Sequence, residues 1–421
     1  MNPDLNYKKK KLKVSVLVVG ASAFIGLLVV LLTDSLKMLT ERYEHQFFTS
    51  FSKDPWLIFV LPLAGLLSVY IFRRFLFNNK PNKGIREVLT NLEKKKPLPA
   101  YKIFSHYING LLTVSLGGST GIEVSTVVSA AATGSVVSEK SSLLKKHKNT
   151  LISAGIAAGV TALFNAPLAG MLFALEVFTK KINPTYFLSL LTAVTVGYLV
   201  NNALGSGPVF HFHISGWHLY ALPYFILLGV IAGMHAAYLT GTVLYIKRIF
   251  SGISREIPAI IAGALLLSVL IFFLPALYGE GYHALPGLLK NLADHSWQTL
   301  AIIALVIVLK PVATAITLGA GGDGGVFAPS LFAGAFLGFF IARILNLYFQ
   351  ADVIEVNFMI AGMAALLSGS IHAPFTAIFL VCAAVGSYEL FVPVLIASLV
   401  ARITSYFILP YSVYTFQPKE N

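Results

Sequence analysis

Apolar runs dominate this chain, and their lengths are uneven. Uncharged or nearly uncharged stretches predict membrane segments at Val14–Leu32, Leu57–Phe72, Val124–Ser138, Leu151–Leu175, Tyr186–Leu204, Tyr220–Tyr245, Ile260–Leu277, Trp297–Leu309, Val326–Ile341, Val356–Gly386 and Leu390–Val400. A straight helix needs ~20 apolar residues to cross ~30 Å of hydrocarbon. Val124–Ser138 offers only 15. Other runs are overlong and carry helix breakers: Pro167 within Leu151–Leu175, and Pro374 within Val356–Gly386. Short or Gly/Pro-interrupted segments in matching places of two halves are the pattern of transporters whose site lies near the midplane, between discontinuous helices.

The halves match at one spacing. Ala154-Gly155-Ile156-Ala157-Ala158 pairs with Ala361-Gly362-Met363-Ala364-Ala365, and Asn165-Ala166-Pro167-Leu168-Ala169 with His372-Ala373-Pro374-Phe375-Thr376, both at an offset of 207. Upstream, Gly121-Ile122-Glu123 pairs with Gly325-Val326-Phe327 at an offset of 204. Co-linear matches at nearly one offset predict an internal repeat, with copies at approximately 14–205 and 217–415 and no soluble C-terminal domain after them.

Composition agrees. Of 421 residues 56% are hydrophobic and 12% charged, against about 25% charged in soluble proteins; the mean hydropathy is +0.77. The net charge of +13 does not point to nucleic acid, because the basic residues cluster at the ends of apolar spans: Lys8 to Lys11, Arg73 and Arg74, Lys94 to Lys96, Lys145 and Lys146, Lys247 and Arg248. That is the positive-inside pattern, and it predicts a multi-pass protein of the bacterial inner membrane with its N-terminus in the cytoplasm. Cys382, the single cysteine, supports neither a disulfide framework nor a thiolate metal site. No Walker pattern or nucleophile constellation suggests an enzyme or ATP-driven pump, and no cofactor is expected.

Two glycine-rich turns carry the chemistry. Glu123 follows Gly117-Gly118-Ser119-Thr120-Gly121-Ile122 and precedes 15 uncharged residues. Its alternatives are a helix cap at the water interface or, the default for an ionisable group at membrane depth, part of an ion or proton pathway. In the second half, Gly321-Gly322-Asp323-Gly324-Gly325-Val326-Phe327-Ala328-Pro329 opens an apolar helix. Backbone N–H groups and the dipole of that helix would aim at the turn, an anion site needing neither Lys nor Arg. Asp323 is expected as a helix-capping group, and His235 and His372 as satisfied core residues.

These motifs resemble the CLC family of chloride channels and chloride/proton antiporters over nearly the whole chain. Gly121-Ile122-Glu123-Val124-Ser125-Thr126 sits where the family has Gly-Arg-Glu-Gly-Pro-Thr, so the resemblance makes Glu123 the gating and proton residue. Gly325-Val326-Phe327-Ala328-Pro329 is similar to Gly-Ile-Phe-Ala-Pro, which implies that the amides of Val326 and Phe327 hold the anion, joined by the Ile122 side of the first turn. Phe164-Asn165-Ala166-Pro167-Leu168-Ala169-Gly170 with Phe173 and Glu176, and Gly279-Glu280-Gly281-Tyr282, resemble further signatures. Tyr414, with Tyr411 as fallback, aligns with the pore tyrosine.

Three departures qualify the match. Asn82-Lys83-Gly84-Ile85-Arg86-Glu87 aligns with Gly-Ser-Gly-Ile-Pro-Glu, putting Lys83 where a pore serine binds the anion beside Gly84. Two readings of Lys83 stand: a charged pore residue, or part of a solvated basic cluster with Lys80 and Arg86. Val177 occupies the internal proton position that is acidic in many antiporters, so that position is lost, while Glu176 reads as structural. Val124-Ser125 replaces Gly-Pro, which should soften the turn without removing the site.

The resemblance implies an all-α polytopic membrane protein of two inverted-topology repeats with tilted and broken helices, and a homodimer with one anion path per subunit. Its expected partners are chloride or a similar small anion, protons and the lipid bilayer. Anion/proton antiport gated by Glu123 is the leading expectation, and a passive channel or uncoupled carrier the alternative that Val177 supports.

Overall fold

The computed structural model describes residues 3–80, 82, 84–178, 182–214, 216–290 and 296–416. Lys83, the proposed pore lysine, lies outside the described residues. In chain order the α-helices are α1 (Pro3–Lys53), α2 (Leu57–Ile71), α3 (Ile85–Glu93), α4 (Tyr101–Ser115), α5 (Glu123–Ser138), α6 (Ser142–Lys145), α7 (Lys148–Phe164), α8 (Pro167–Phe178) and α9 (Pro184–Ala203). After a long connection follow α10 (Leu222–Ser251), α11 (Glu256–Phe273), α12 (Leu285–Lys290), α13 (Trp297–Gly319), α14 (Phe327–Phe349), α15 (Glu355–Ile371), α16 (Pro374–Ala384) and α17 (Phe391–Ile408). Among the described residues, eight helical stretches are long and apolar enough to cross a membrane. Large apolar side chains such as Phe75, Leu199, Phe273 and Phe407 point outward and stay exposed, as lipid contact demands.

Both overlong runs break where the sequence places proline. Asn165 ends α7 in the left-handed conformation (φ 50°, ψ 36°), and His372 ends α15 the same way (φ 59°, ψ 35°). Asparagine tolerates that conformation, and Pro167 and Pro374 then start α8 and α16 at the first helical position, where the missing N–H costs nothing. The broken pieces pack together: Glu176 of α8 accepts hydrogen bonds from the N–H groups of Phe375 and Thr376 and from the Thr376 hydroxyl. A carboxylate is thus spent on the N-terminus of α16, in keeping with a structural role.

Other boundaries differ from the expectation. The first helix runs on past Leu32 to Lys53, about 76 Å at 1.5 Å per residue, with Asp34, Lys37 and Glu44 half-buried and Glu41 exposed. Similarly α13 does not stop at Leu309. It continues through Lys310 and Pro311 to Gly319, since the buried Lys310 ammonium donates to the Gly279 carbonyl at 2.9 Å and lies over the Phe332 ring.

Small residues let the inner helices touch backbone to backbone. A Cβ on Gly334 of α14 would stand 2.7 Å from the Gly362 carbonyl carbon of α15, and one on Gly134 of α5 would stand 2.7 Å from that of Leu151 in α7. Without a hydrophobic force between helices in lipid, such close packing is a main source of association. It holds α5 and α14 firmly, and these are the two helices whose N-termini meet.

Candidate functional site

The two glycine turns meet at the centre of the fold. Gly121 and Gly325 form an antiparallel bridge, and the Thr120 hydroxyl donates to the Gly325 carbonyl at 2.7 Å. Gly324 makes this possible at φ 152°, a conformation L-residues rarely adopt. The Ser119 N–H is held by the Thr317 hydroxyl at 3.0 Å, which anchors the first turn to the end of α13. Consequently α5 and α14 begin side by side, and their unpaired N-terminal N–H groups face common ground.

Glu123 is the first residue of α5 and is 3% exposed. Its carboxylate folds back over Gly121 and lies against the N–H groups of Ala328 and of Glu123 itself, beside the Tyr282 hydroxyl. Neither Oε2 nor the Tyr282 oxygen completes a well-formed hydrogen bond. The carboxylate therefore stands at the N-terminus of α14, where helix geometry favours negative charge. A cavity of about 30 Å³ adjoins it, bounded by Lys37, Thr40, Glu41, Glu280 and Tyr282 and by the apolar Ile122, Leu163, Phe164 and Val209. Roughly this volume suits a single water or small ion.

Several expected residues gather here. Val326 is the N-cap of α14 and Phe327 its first helical residue; both are buried. The buried Tyr414 directs its hydroxyl toward the Val326 N–H, whereas Tyr411 packs on Phe416. Gly84 caps α3, and a Cβ there would stand 3.2 Å from a methyl of Val124. Val124 thus sits between the start of α3 and the second glycine turn, with helix α5 fully formed without the proline. Val177 lies half-buried in α8, packed against the core.

Three expectations change. The Ile122 N–H is not open to an anion: it donates to Glu280 Oε1 at 3.3 Å. Asp323 does not cap α14, whose N-cap makes no side-chain bond. Its carboxylate instead accepts from Asn82 at 2.8 Å and Ser125 at 3.3 Å and pairs with His106 at 2.9 Å, because the preceding turn swings it away from the helix axis toward α4 and α5. His235 and His372 each keep a buried Nε2 without a partner, so neither is a satisfied core residue.

Sequence reasoning missed the α1 face and Lys310, and quoted Ala328 and Tyr282 within motifs without giving them a role. Lys310 carried a signal, a lone charge in an apolar helix. The α1 residues carried none, since only tertiary packing brings Thr40 and Glu41 to the cavity.

Comparison with known proteins follows the same lines. Residues 64–406 match the family model described as voltage gated chloride channel. A putative chloride channel protein ClcB-like of Ralstonia nicotianae is 31% identical over 365 residues, 83% of each chain. The voltage-gated ClC-type chloride channel ClcB of Escherichia coli is 30% identical over 300 residues, 70% of each chain. Among solved structures, a CLC-type fluoride/proton antiporter superposes with a TM-score of 0.78 over 95% of this chain and 97% of its own, at 22% identity. A slow cyanobacterial Cl−/H+ antiporter does so with 0.81 over 94% and 96%, again at 22% identity. The chain belongs to the voltage-gated chloride channel (CLC) family of anion channels and transporters, and its architecture is the all-α CLC fold.

Proposed function

We propose that this chain exchanges a small anion, chloride in the first place, for protons, with Glu123 as the gate. The observation that carries this reading is the buried Glu123 carboxylate seated against the Ala328 N–H at the start of α14. Ionised, it competes with an anion for that position. Protonated, it loses its hold on the helix N-terminus and leaves. The cradle it vacates comprises the amides of Val326, Phe327 and Ala328, with Tyr414 as an uncharged donor. Gly84 borders the path beyond Val124, and Lys83 is proposed as its electrostatic element. The names of the similar proteins, chloride channels by sequence and chloride/proton or fluoride/proton antiporters by structure, support anion transport. The working unit is proposed to be a homodimer in the bacterial inner membrane, N-terminus in the cytoplasm.

The test is flux from liposomes holding the purified protein, with anion and proton movement recorded together. Anion flux rises as pH falls, and Glu123→Gln removes that dependence and proton movement with it. A Glu123→Gln protein with the wild-type pH profile refutes the gate. A second reading, an uncoupled carrier or channel, is favoured by Val177, an apolar side chain where many antiporters have an acid. It predicts anion flux in the wild type with no uphill protons.

A further inference from the structure

The Glu123 gate adjoins a second carboxylate that no part of the proposed cycle uses. Glu280 lies in the loop between α11 and α12 and bounds the same cavity as Glu123. Its Oε1 accepts from Ile122, the residue just before the gate, at 3.3 Å, and its own N–H donates to Glu44 Oε1 of α1 at 3.1 Å. The cavity wall also holds buried polar atoms with no partner: Thr40 Oγ1, Glu123 Oε2 and Tyr282 Oη. Buried polar groups are normally satisfied by protein or ordered water, and these atoms belong to residues that line a space the size of one water. Two carboxylates, Glu123 and Glu280, face it, while the largely exposed Glu41 pairs with Lys37 at 4.0 Å at its edge.

We propose that Glu280 is a second proton-carrying carboxylate, relaying protons between the adjoining solution and Glu123 through this cavity. The proposal rests on the reading of Glu123 as the gate. In the step, the O–H bond of protonated Glu280 breaks and an O–H bond forms on Glu123, with cavity water or the Tyr282 hydroxyl between them. The negative charge passes to Glu280, which is reloaded from hydronium. The charged and titratable groups around Glu280 are fixed by every neighbouring element. From α1 come Lys37, Glu41 and Glu44, from α5 Glu123, from α13 Lys310, and from its own loop Tyr278, Tyr282 and His283. Lys310 donates to the Gly279 carbonyl at 2.9 Å, next to Glu280 in the chain.

Glu280→Gln tests this without disturbing the scaffold, because the Gln carbonyl oxygen still accepts from the Ile122 N–H. In chloride-loaded liposomes, Glu280→Gln is expected to slow proton movement at least about a hundredfold, the lower range for loss of a positioned proton-transfer group, and to slow anion flux with it, because Glu123 then stays ionised in the anion position. In the Glu123→Gln background, whose gate needs no proton, adding Glu280→Gln should not lower anion flux further, whereas a merely structural Glu280 would lower it there too. Wild-type proton rate in Glu280→Gln overturns the relay while leaving the gate intact, and so does a double variant whose anion flux falls below that of Glu123→Gln. Wild-type protein that moves anions without protons, or a pH dependence that survives Glu123→Gln, instead refutes the underlying reading and the relay with it. Difference infrared spectroscopy between acid and alkaline pH gives a second readout. Glu280→Gln and Glu123→Gln should each remove one buried carboxylic-acid band, and a wild-type spectrum that Glu280→Gln leaves unchanged overturns the proposal.

Discussion

Gly338→Ala tests whether the α14–α15 contact holds the anion cradle in register. A Cβ on Gly338 would overlap the Phe358 carbonyl oxygen and stand 2.5 Å from its carbonyl carbon and 3.0 Å from the Met359 nitrogen. Comfortable carbon contacts are ~3.5–4.0 Å, so the two helices must part locally by about 1 Å. The obstruction is backbone, which cannot rotate aside as a side chain does. A gap of that size forfeits about a quarter to a half of each dispersion contact it opens, and overpacking costs typically ~1–3 kcal/mol. Replacing a helical glycine by alanine returns ~0.5–1 kcal/mol, leaving a net loss of up to about 2.5 kcal/mol. Gly20→Ala in α1 is the control, because a Cβ there meets nothing within 4 Å and only the helical gain remains. Thermal unfolding in detergent, followed by intrinsic fluorescence, should place Gly338→Ala below the wild type and Gly20→Ala at or above it. Since α14 presents Val326, Phe327 and Ala328 at its start, anion flux should fall in Gly338→Ala as well. Melting of Gly338→Ala with or above Gly20→Ala would refute the packing argument.

Further outcomes can be checked separately. Tyr414→Phe removes one hydroxyl donor from the cradle and should weaken chloride binding by about 2- to 12-fold, the equivalent of ~0.5–1.5 kcal/mol for one hydrogen bond, measured by calorimetry with the fold intact. Glu176→Gln should leave the proton-to-anion ratio unchanged but lower the melting temperature, because its charge serves the N-terminus of α16; altered coupling would contradict the structural role. Glu139, after the end of α5, is held below the ordinary carboxylate range by hydrogen bonds from Lys145 and Lys148. Its folded pKa is depressed, so its contribution is complete above its ordinary value of 4.5 and lost as pH falls below that value; Glu139→Gln should flatten this segment of the stability profile. Asp323→Asn removes the ionic partner of His106 and should lower the melting temperature, an effect His106→Asn should reproduce.

What the sequence by itself determined was local. Run lengths and prolines located the breaks at Asn165–Pro167 and His372–Pro374, where a proline suits the first position of a new helix, although Pro62 and Pro311 lie inside α2 and α13. Glycines placed the two turns, and a carboxylate before 15 uncharged residues marked Glu123. What only the tertiary structure decided were the partners. Lys310 looked like the end of a span until Gly279 and Phe332 were found around it. Asp323 reads as a cap by position, yet a turn in the chain delivers it to residues 217 and 241 positions away, His106 and Asn82. Ile122 offers an amide in sequence that Glu280, 158 residues distant, already occupies. Periodicity and breakers act over a few residues through backbone sterics, so they are written in order along the chain. The cavity beside Glu123 is built from α1, α5 and the loop before α12 at once, and which side chains share it depends on helix packing that no single segment encodes.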